Sequence, residues 1–198
     1  ETIANLTKYV PAGLKNWAIK QPLIRQSLDL IGIAKKCPMP SFASLAFREH
    51  IRKISQKQTG KAVIFFPGCY INYYDPATGF DLVSILQACD YQVYVPEEFV
   101  CCGIPLISGG FEEDARHNAI QNAKTIAKYA SQGLPILTVC PSCRLMLTRE
   151  CGEFFPEVAK NMAKSQILAA EDFILQLIAT GELDLRGVLA KQTVNCLY

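Results

Sequence analysis

Five cysteines are the residues of this chain whose type and spacing suggest chemistry: Cys69, the adjacent pair Cys101 and Cys102, and Cys140 with Cys143 in a Cys-Pro-Ser-Cys turn. Each falls where an apolar, strand-like run gives way to a loop. Thiolates delivered to successive strand ends of an open α/β sheet converge, because that fold gathers its ligands at the carboxyl edge of its strands. In a reducing compartment, convergent thiolates mean a metal or iron–sulfur site more often than disulfides.

The gaps support convergence. Between Cys69 and Cys101 lie 31 residues, and between Cys102 and Cys140 lie 37. Each gap is long enough for one helix–strand unit, so the chain leaves the sheet edge and returns to it. Three occupants compete for such a site. A Cys101–Cys102 disulfide would be strained, since neighbouring Cα atoms lie about 3.8 Å apart and an ordinary bridge wants roughly 4.4–6.8 Å. Zinc takes four ligands, which leaves one of five thiols spare. An iron–sulfur cluster spreads several irons over a few ångströms, so adjacent cysteines reach different atoms; a cubane [4Fe–4S] needs four thiolates, and a fifth implies a spare or an opened cluster. Gly68 and Gly103 sit beside the ligands, where a small residue lets backbone N–H groups approach sulfur.

The remaining cysteines invite plainer readings. Cys89 and Cys151 read as buried structural thiols. Cys37-Pro38 lacks the C-x2-C-x2-C run of a ferredoxin before it and reads as structural, and Cys196 is ambiguous. His50 and His117 read as surface or packing residues. The chain has no G-x-S-x-G, no Walker loop and no G-x-G-x-x-G. Ser108-Gly109-Gly110 before a helix could cradle an anion, but it reads more simply as a helix entry beside the cysteines.

The elements that must position the five thiols follow from periodicity. Strands are expected over 62–66, 91–95, 134–139 and 193–197, and a turn over 76–79. Helices are expected over 80–88, from Gly109-Gly110 to about Ser131, over 144–150 and over 171–180, with an irregular helical stretch over 154–163. Before Gly60 the strand–helix alternation is absent. Pro11, Pro22, Pro38 and Pro40 punctuate short helices expected over 14–21, 23–34 and 41–56, the last capped by Ser41. The fold expected is therefore α/β, a mainly parallel sheet with helices on both faces, preceded by a helical N-terminal arm. The arm spans residues 1–60 and the cysteine-rich domain 61–198.

Composition sets the outer limits. Half of the 198 residues are hydrophobic and 19% are charged, which indicates a globular core. A net charge of +2 makes nucleic acid an unpromising partner. No apolar run approaches the roughly 18 residues of a membrane span. Arg48, Arg52, Lys53 and Lys57 give the 41–56 helix a basic end, read as a solvated face or as contact with anionic lipid or an acidic partner. The chain opens on Glu1 without a signal peptide and ends on a strand-like run, so it is expected to be a piece of a longer cytoplasmic protein.

The motifs Pro67-Gly68-Cys69, Cys101-Cys102-Gly103 and Cys140-Pro141-Ser142-Cys143 resemble the CCG domain, the cysteine-rich domain of the heterodisulfide reductase B-type family. Within that family, the stretch Phe65-Phe66-Pro67-Gly68-Cys69-Tyr70-Ile71-Asn72-Tyr73 looks most like the iron–sulfur subunits of anaerobic glycerol-3-phosphate dehydrogenase type. The resemblance covers residues 60–150 strongly. It implies that Cys69, Cys101, Cys102, Cys140 and Cys143 are the ligands of a [4Fe–4S] cluster of noncubane type, with zinc as a replacement. It implies electron transfer from a flavin-containing dehydrogenase subunit toward menaquinone, at the inner face of the cell membrane. The alternatives it leaves are a catalytic thiol–disulfide reductase and a zinc-stabilised interaction module. Family members carry the motif twice behind a ferredoxin-like segment, whereas this chain shows one copy and no ferredoxin run.

Overall fold

A computed structural model describes residues 10–30, 32–54, 60–162 and 166–185. Four strands, β1 (Lys61–Phe65), β2 (Tyr91–Tyr94), β3 (Ile136–Thr138) and β4 (Ile167–Ala169), pair in the order β2-β1-β3-β4. All pairings are parallel, with Ala62 opposite Gln92, Ile64 opposite Ile136, and Leu137 opposite Leu168. The α/β fold expected from the alternation is the one observed.

The helices, in chain order, are α1 (Ala12–Ala18), α2 (Pro22–Leu30), α3 (Phe47–Ile51), α4 (Gly68–Tyr73), α5 (Pro76–Ala88), α6 (Ile104–Ser108), α7 (Glu112–Ala130), α8 (Pro141–Leu145), α9 (Cys151–Phe154), α10 (Pro156–Met162) and α11 (Ala170–Ala179). A five-residue π-helical turn, Met146–Glu150, joins α8 to α9. Alternation along β1 splits the core in two. Val63 and Phe65 face a cluster with Phe47, Leu82, Leu86, Val93 and Phe173, from α3, α5, β2 and α11. Ile64 and Phe66 face the opposite cluster, with Ala119, Ala123, Ile126, Met146 and Phe155 from α7 and the helical run after β3. A strand buried on both faces must be apolar throughout, and residues 62–66 are.

Several expected boundaries moved, for local reasons. Among the described residues, the helix expected over 41–56 is only α3, uncapped by Ser41. The backbone of Phe42 is bonded both ways to the Asn16 carboxamide, and Ala43 N–H donates to Tyr73 C=O, so this segment satisfies these backbone groups outside a helix. The expected turn over 76–79 is the first turn of α5. Asp75 caps it, accepting from Thr78 N–H and Thr78 Oγ1, and Pro76 occupies the position where a missing N–H costs nothing. Gly109-Gly110 does not open the long helix; it closes α6, with Gly110 at φ 78° and Phe111 N–H donating back to Leu106 C=O. The helix expected over 144–150 begins earlier, at Pro141. The fourth strand of the sheet is Ile167–Ala169, too short to signal itself in sequence; the strand expected over 193–197, with Cys196, lies outside the described residues.

Candidate metal centre

The strand order places the site. The chain runs from the central strand β1 outward to β2 on one side, then crosses to β3 on the other. The carboxyl ends of β1 and β3 therefore flank a topological switch point, the crevice where open α/β sheets collect ligands. Cys69 follows β1 in the first turn of α4, Cys101 and Cys102 follow β2, and Cys140 with Cys143 follow β3 at the start of α8.

The five thiols form one row. Side-chain contacts join Cys69 to Cys101, Cys101 to Cys102, Cys102 to Cys143, and Cys143 to Cys140. Cys101, Cys102 and Cys143 are buried; Cys69 and Cys140 are half-buried at the ends. The directions of the thiol pKa shifts alternate along it. Cys101 is held far below the usual thiol range by bonds from Cys102 and Cys69, aided by the Gly103 N–H, and Cys143 is lowered by its bond with Cys102. Cys69 and Cys102 are raised as the donating partners of Cys101, and Cys140 is raised by burial.

Backbone geometry keeps the row tight. Gly68 has φ 64°, and a Cβ added there would lie 2.9 Å from Cys143 Sγ. Gly103, at φ 103°, points its N–H toward the Cys101 sulfur, and Ile104 N–H does the same for Cys102. The N–H groups of Ser142 and Cys143 point at the Cys140 sulfur. Such donors favour thiolate, the form that binds metal. Among the described residues, no three His, Cys, Asp or Glu side chains converge on a point for one ion. A row of five soft donors, ringed by backbone N–H groups and approached closely by the Gly68 backbone, suits a group of several metal atoms and inorganic sulfide.

Among the described residues, the other cysteines share none of the row's thiol contacts. Cys89 and Cys151 are buried in the two core clusters, and Cys37 is exposed, its thiol donating to the Pro38 carbonyl. The loop that delivers Cys101 and Cys102 is held by polar residues that sequence reading passed over. Chief among them is Asn122, fully buried on α7. Its signal was present: it lies in register with Ala115, Ala119, Ala123 and Ile126 on the apolar face, where an amide needs a buried partner.

Comparison with known proteins agrees with the motif. Residues 63–148 match the family described as CCG, cysteine-rich domain. The chain is 33% identical over 151 residues to the C-type subunit of anaerobic glycerol-3-phosphate dehydrogenase from Escherichia coli K12, covering 74% of this chain and 37% of that protein. It is 31% identical over 91 residues to the B-type subunit of fumarate reductase (CoM/CoB) from Methanothermobacter marburgensis, covering 46% of this chain and 18% of that one. It is 27% identical over 137 residues to the lactate utilization protein A 1 of Bacillus anthracis, covering 67% and 54%. This chain thus spans well under half the length of the first of these relatives. No solved structure matches it significantly. The cysteine motifs, their placement at the switch point and the family match agree: residues 63–148 belong to the CCG cysteine-rich domain family.

Proposed function

We propose that this chain is part of an iron–sulfur subunit of an anaerobic dehydrogenase complex of the glycerol-3-phosphate type. Cys69, Cys101, Cys102, Cys140 and Cys143 are its ligand set, and the group they hold is a [4Fe–4S] cluster of noncubane type. The observation that carries this reading is the unbroken row of five thiols at the switch point. When bound, such a cluster takes up and releases single electrons.

The chain's own part is to present thiolates, exclude water and aim N–H groups at sulfur. Cys101, Cys102 and Cys143 are nearly sealed, while Cys69 and Cys140 stay half-exposed. Cys69 neighbours Tyr70, half-exposed and stacked on Tyr74 at 5.7 Å, which offers a partner a flat aromatic edge beside the site. Electrons arrive from a flavin-containing dehydrogenase subunit and leave toward menaquinone. No helix among the described residues is long and apolar enough to cross a membrane. Contact with the inner membrane surface, or with the flavin subunit, falls to the arm of residues 1–60. There α1 and α2 bury no side chain and leave Leu14, Trp17, Leu23 and Leu30 exposed beside Lys15, Lys20 and Arg25. Residues 61–198 form the cysteine-rich domain. The setting is cytoplasmic and the complex peripheral.

Anaerobic reconstitution with iron and sulfide tests this. The expected yield is about four irons per chain with a matching amount of sulfide. One zinc and no iron in protein purified without oxygen would overturn it in favour of a zinc-stabilised module. A second reading, catalytic thiol–disulfide reduction, draws on the likeness to the fumarate reductase (CoM/CoB) relative. A change in the cluster's spectrum on adding a substrate thiol would favour that chemistry.

A further inference from the structure

Residues 97–101 form neither helix nor strand, yet each of their backbone carbonyls accepts a hydrogen bond from a side chain of a flanking helix. From α3, Arg48 Nη1 donates to Phe99 C=O at 2.6 Å and to Glu97 C=O at 3.4 Å. From α7, Gln121 Nε2 donates to Glu98 C=O at 3.1 Å. Asn122 Nδ2 donates to Val100 C=O at 3.4 Å and Cys101 C=O at 3.1 Å, while its Oδ1 accepts from Val100 N–H at 3.0 Å. The loop is gripped from both sides, and its last gripped residue is the first cysteine of the pair.

The two grips are themselves anchored. Asn122 is fully buried, so leaving its amide unpaired would cost the desolvation of both its groups. Arg48 follows Phe47, which is wholly buried in the core, and the Arg48 N–H donates to Asn72 Oδ1 at 3.0 Å. Asn72 lies on α4, the helix that bears Cys69. Arg48, Asn72, Cys69 and Cys101 line one cavity of about 30 Å³. Arg48 thus joins two limbs of the thiol row, its guanidinium bonded to the cysteine loop and its backbone N–H to the helix of Cys69, and it lines the cavity that both thiols border.

We propose that Arg48 and Asn122 are positioning residues that hold the Cys101–Cys102 pair in place before metal enters, and that the Arg48 charge raises the reduction potential of the centre those cysteines hold. The first half needs only the chain. The second rests on the iron–sulfur reading above: a positive charge beside the centre favours its more negative, one-electron-reduced form.

The test uses the full chain and four variants, Arg48→Gln, Arg48→Lys, Asn122→Ala and Asn122→Asp. In the metal-free protein, amide hydrogen exchange at residues 98–102 is expected to quicken in Arg48→Gln and Asn122→Ala while β1 keeps its protection. After reconstitution, both variants should lose iron to a chelator about tenfold faster, the range seen when groups supporting a metal ligand are removed. Asn122→Asp keeps the acceptor for Val100 and loses both donations, so its exchange should rise at 101–102 more than at 100. Redox titration should place Arg48→Gln below the parent in potential and Arg48→Lys near it.

Unchanged exchange at 98–102 in both Arg48→Gln and Asn122→Ala overturns the positioning role. An unchanged potential in Arg48→Gln overturns the charge role. Should Asn122→Ala not fold, the half-exposed Arg48 variants decide the matter. If the parent takes up no iron, the proposed function fails, while the exchange measurement still decides whether the loop is held.

Discussion

Two limbs of the thiol row reach the same place by opposite means. The Cys140–Cys143 limb is local: Cys140 caps α8, Pro141 starts it, Arg144 N–H closes onto Cys140 C=O, and the opening N–H groups face the Cys140 sulfur. The sequence Cys-Pro-Ser-Cys contains almost all that is needed to build it. The Cys101–Cys102 limb has no regular structure of its own and borrows its shape from Arg48, Gln121 and Asn122, which lie between 21 and 51 residues along the chain from the carbonyls they hold. A ligand turn that folds itself tolerates change elsewhere in the protein. A ligand loop held by distant side chains ties the site to the packing of two helices.

The largest effect should come where the limbs meet. Cys102 touches both Cys101 and Cys143, so it closes the row between them. Cys102→Ser exchanges a soft donor for a hard one at that junction. Iron per reconstituted chain is expected to fall to less than half the parent value, with the far-ultraviolet circular dichroism unchanged, because most of the side chains that build the two core clusters lie outside the row. Full iron content in the variant would remove Cys102 from the ligand set and break the continuity of the row.

A smaller effect isolates the local limb. Gly68→Ala places a Cβ 2.9 Å from Cys143 Sγ at a backbone φ of 64°. Gly110→Ala meets a similar φ, 78°, with nothing within 4 Å. Both variants should lose about 1–2 kcal/mol to the left-handed backbone. That corresponds to roughly 2–4 °C of melting temperature per kcal/mol in a chain of this size. Only Gly68→Ala should also bind less iron, by several-fold, since only there must a thiol move. Equal iron content in the two variants would show that the close approach of Gly68 to Cys143 does not matter.

The contrast between limbs also explains what could be read from sequence. The strands β1 and β3 were legible because a doubly covered strand is almost continuously apolar, the edge strand β2 was legible from its β-forming Tyr and Val residues before Pro96, and the five cysteines stood out because they follow these runs. Local signals failed where they conflicted. Pro76 and Gly79 read as a turn, yet Asp75 caps a helix there, and Gly79 is glycine because a Cβ would lie 2.8 Å from Ile71 and Phe47. Gly109-Gly110 marks a helix end in three dimensions and either an end or a start in one. Arg48 read as one of several charges on a basic helix end. Nothing local distinguishes it from Arg52, whose partner is the exposed Glu97 carboxylate; only the fold shows that Arg48 reaches the backbone of the cysteine loop. Long-range hydrogen bonds leave no periodicity behind them, so the clamp was invisible while the ligands were plain.

The smallest effect concerns a cysteine outside the row. Cys151 opens α9 inside the core cluster beside Met146 and Phe155, and burial pushes its thiol up to about 11, with the Glu157 carboxylate adding to the rise. An unfolded cysteine titrates near 8.5. Between that pH and about 11 the unfolded chain has released a proton that the folded chain still holds. Folding binds protons there, so stability is full below pH 8.5 and falls as pH rises toward 11. Cys151→Ala removes this term. It should cost about 1 kcal/mol at pH 7, as an ordinary core truncation does. Its denaturation midpoint should then fall less steeply than the parent's from pH 8.5 to 10, with iron per chain unchanged. A parallel pH dependence would mean that the buried thiol ionises as freely as an exposed one. A loss of iron would mean that the row extends past Cys143 into the core, so that the local limb depends on distant packing as much as the Cys101–Cys102 loop does.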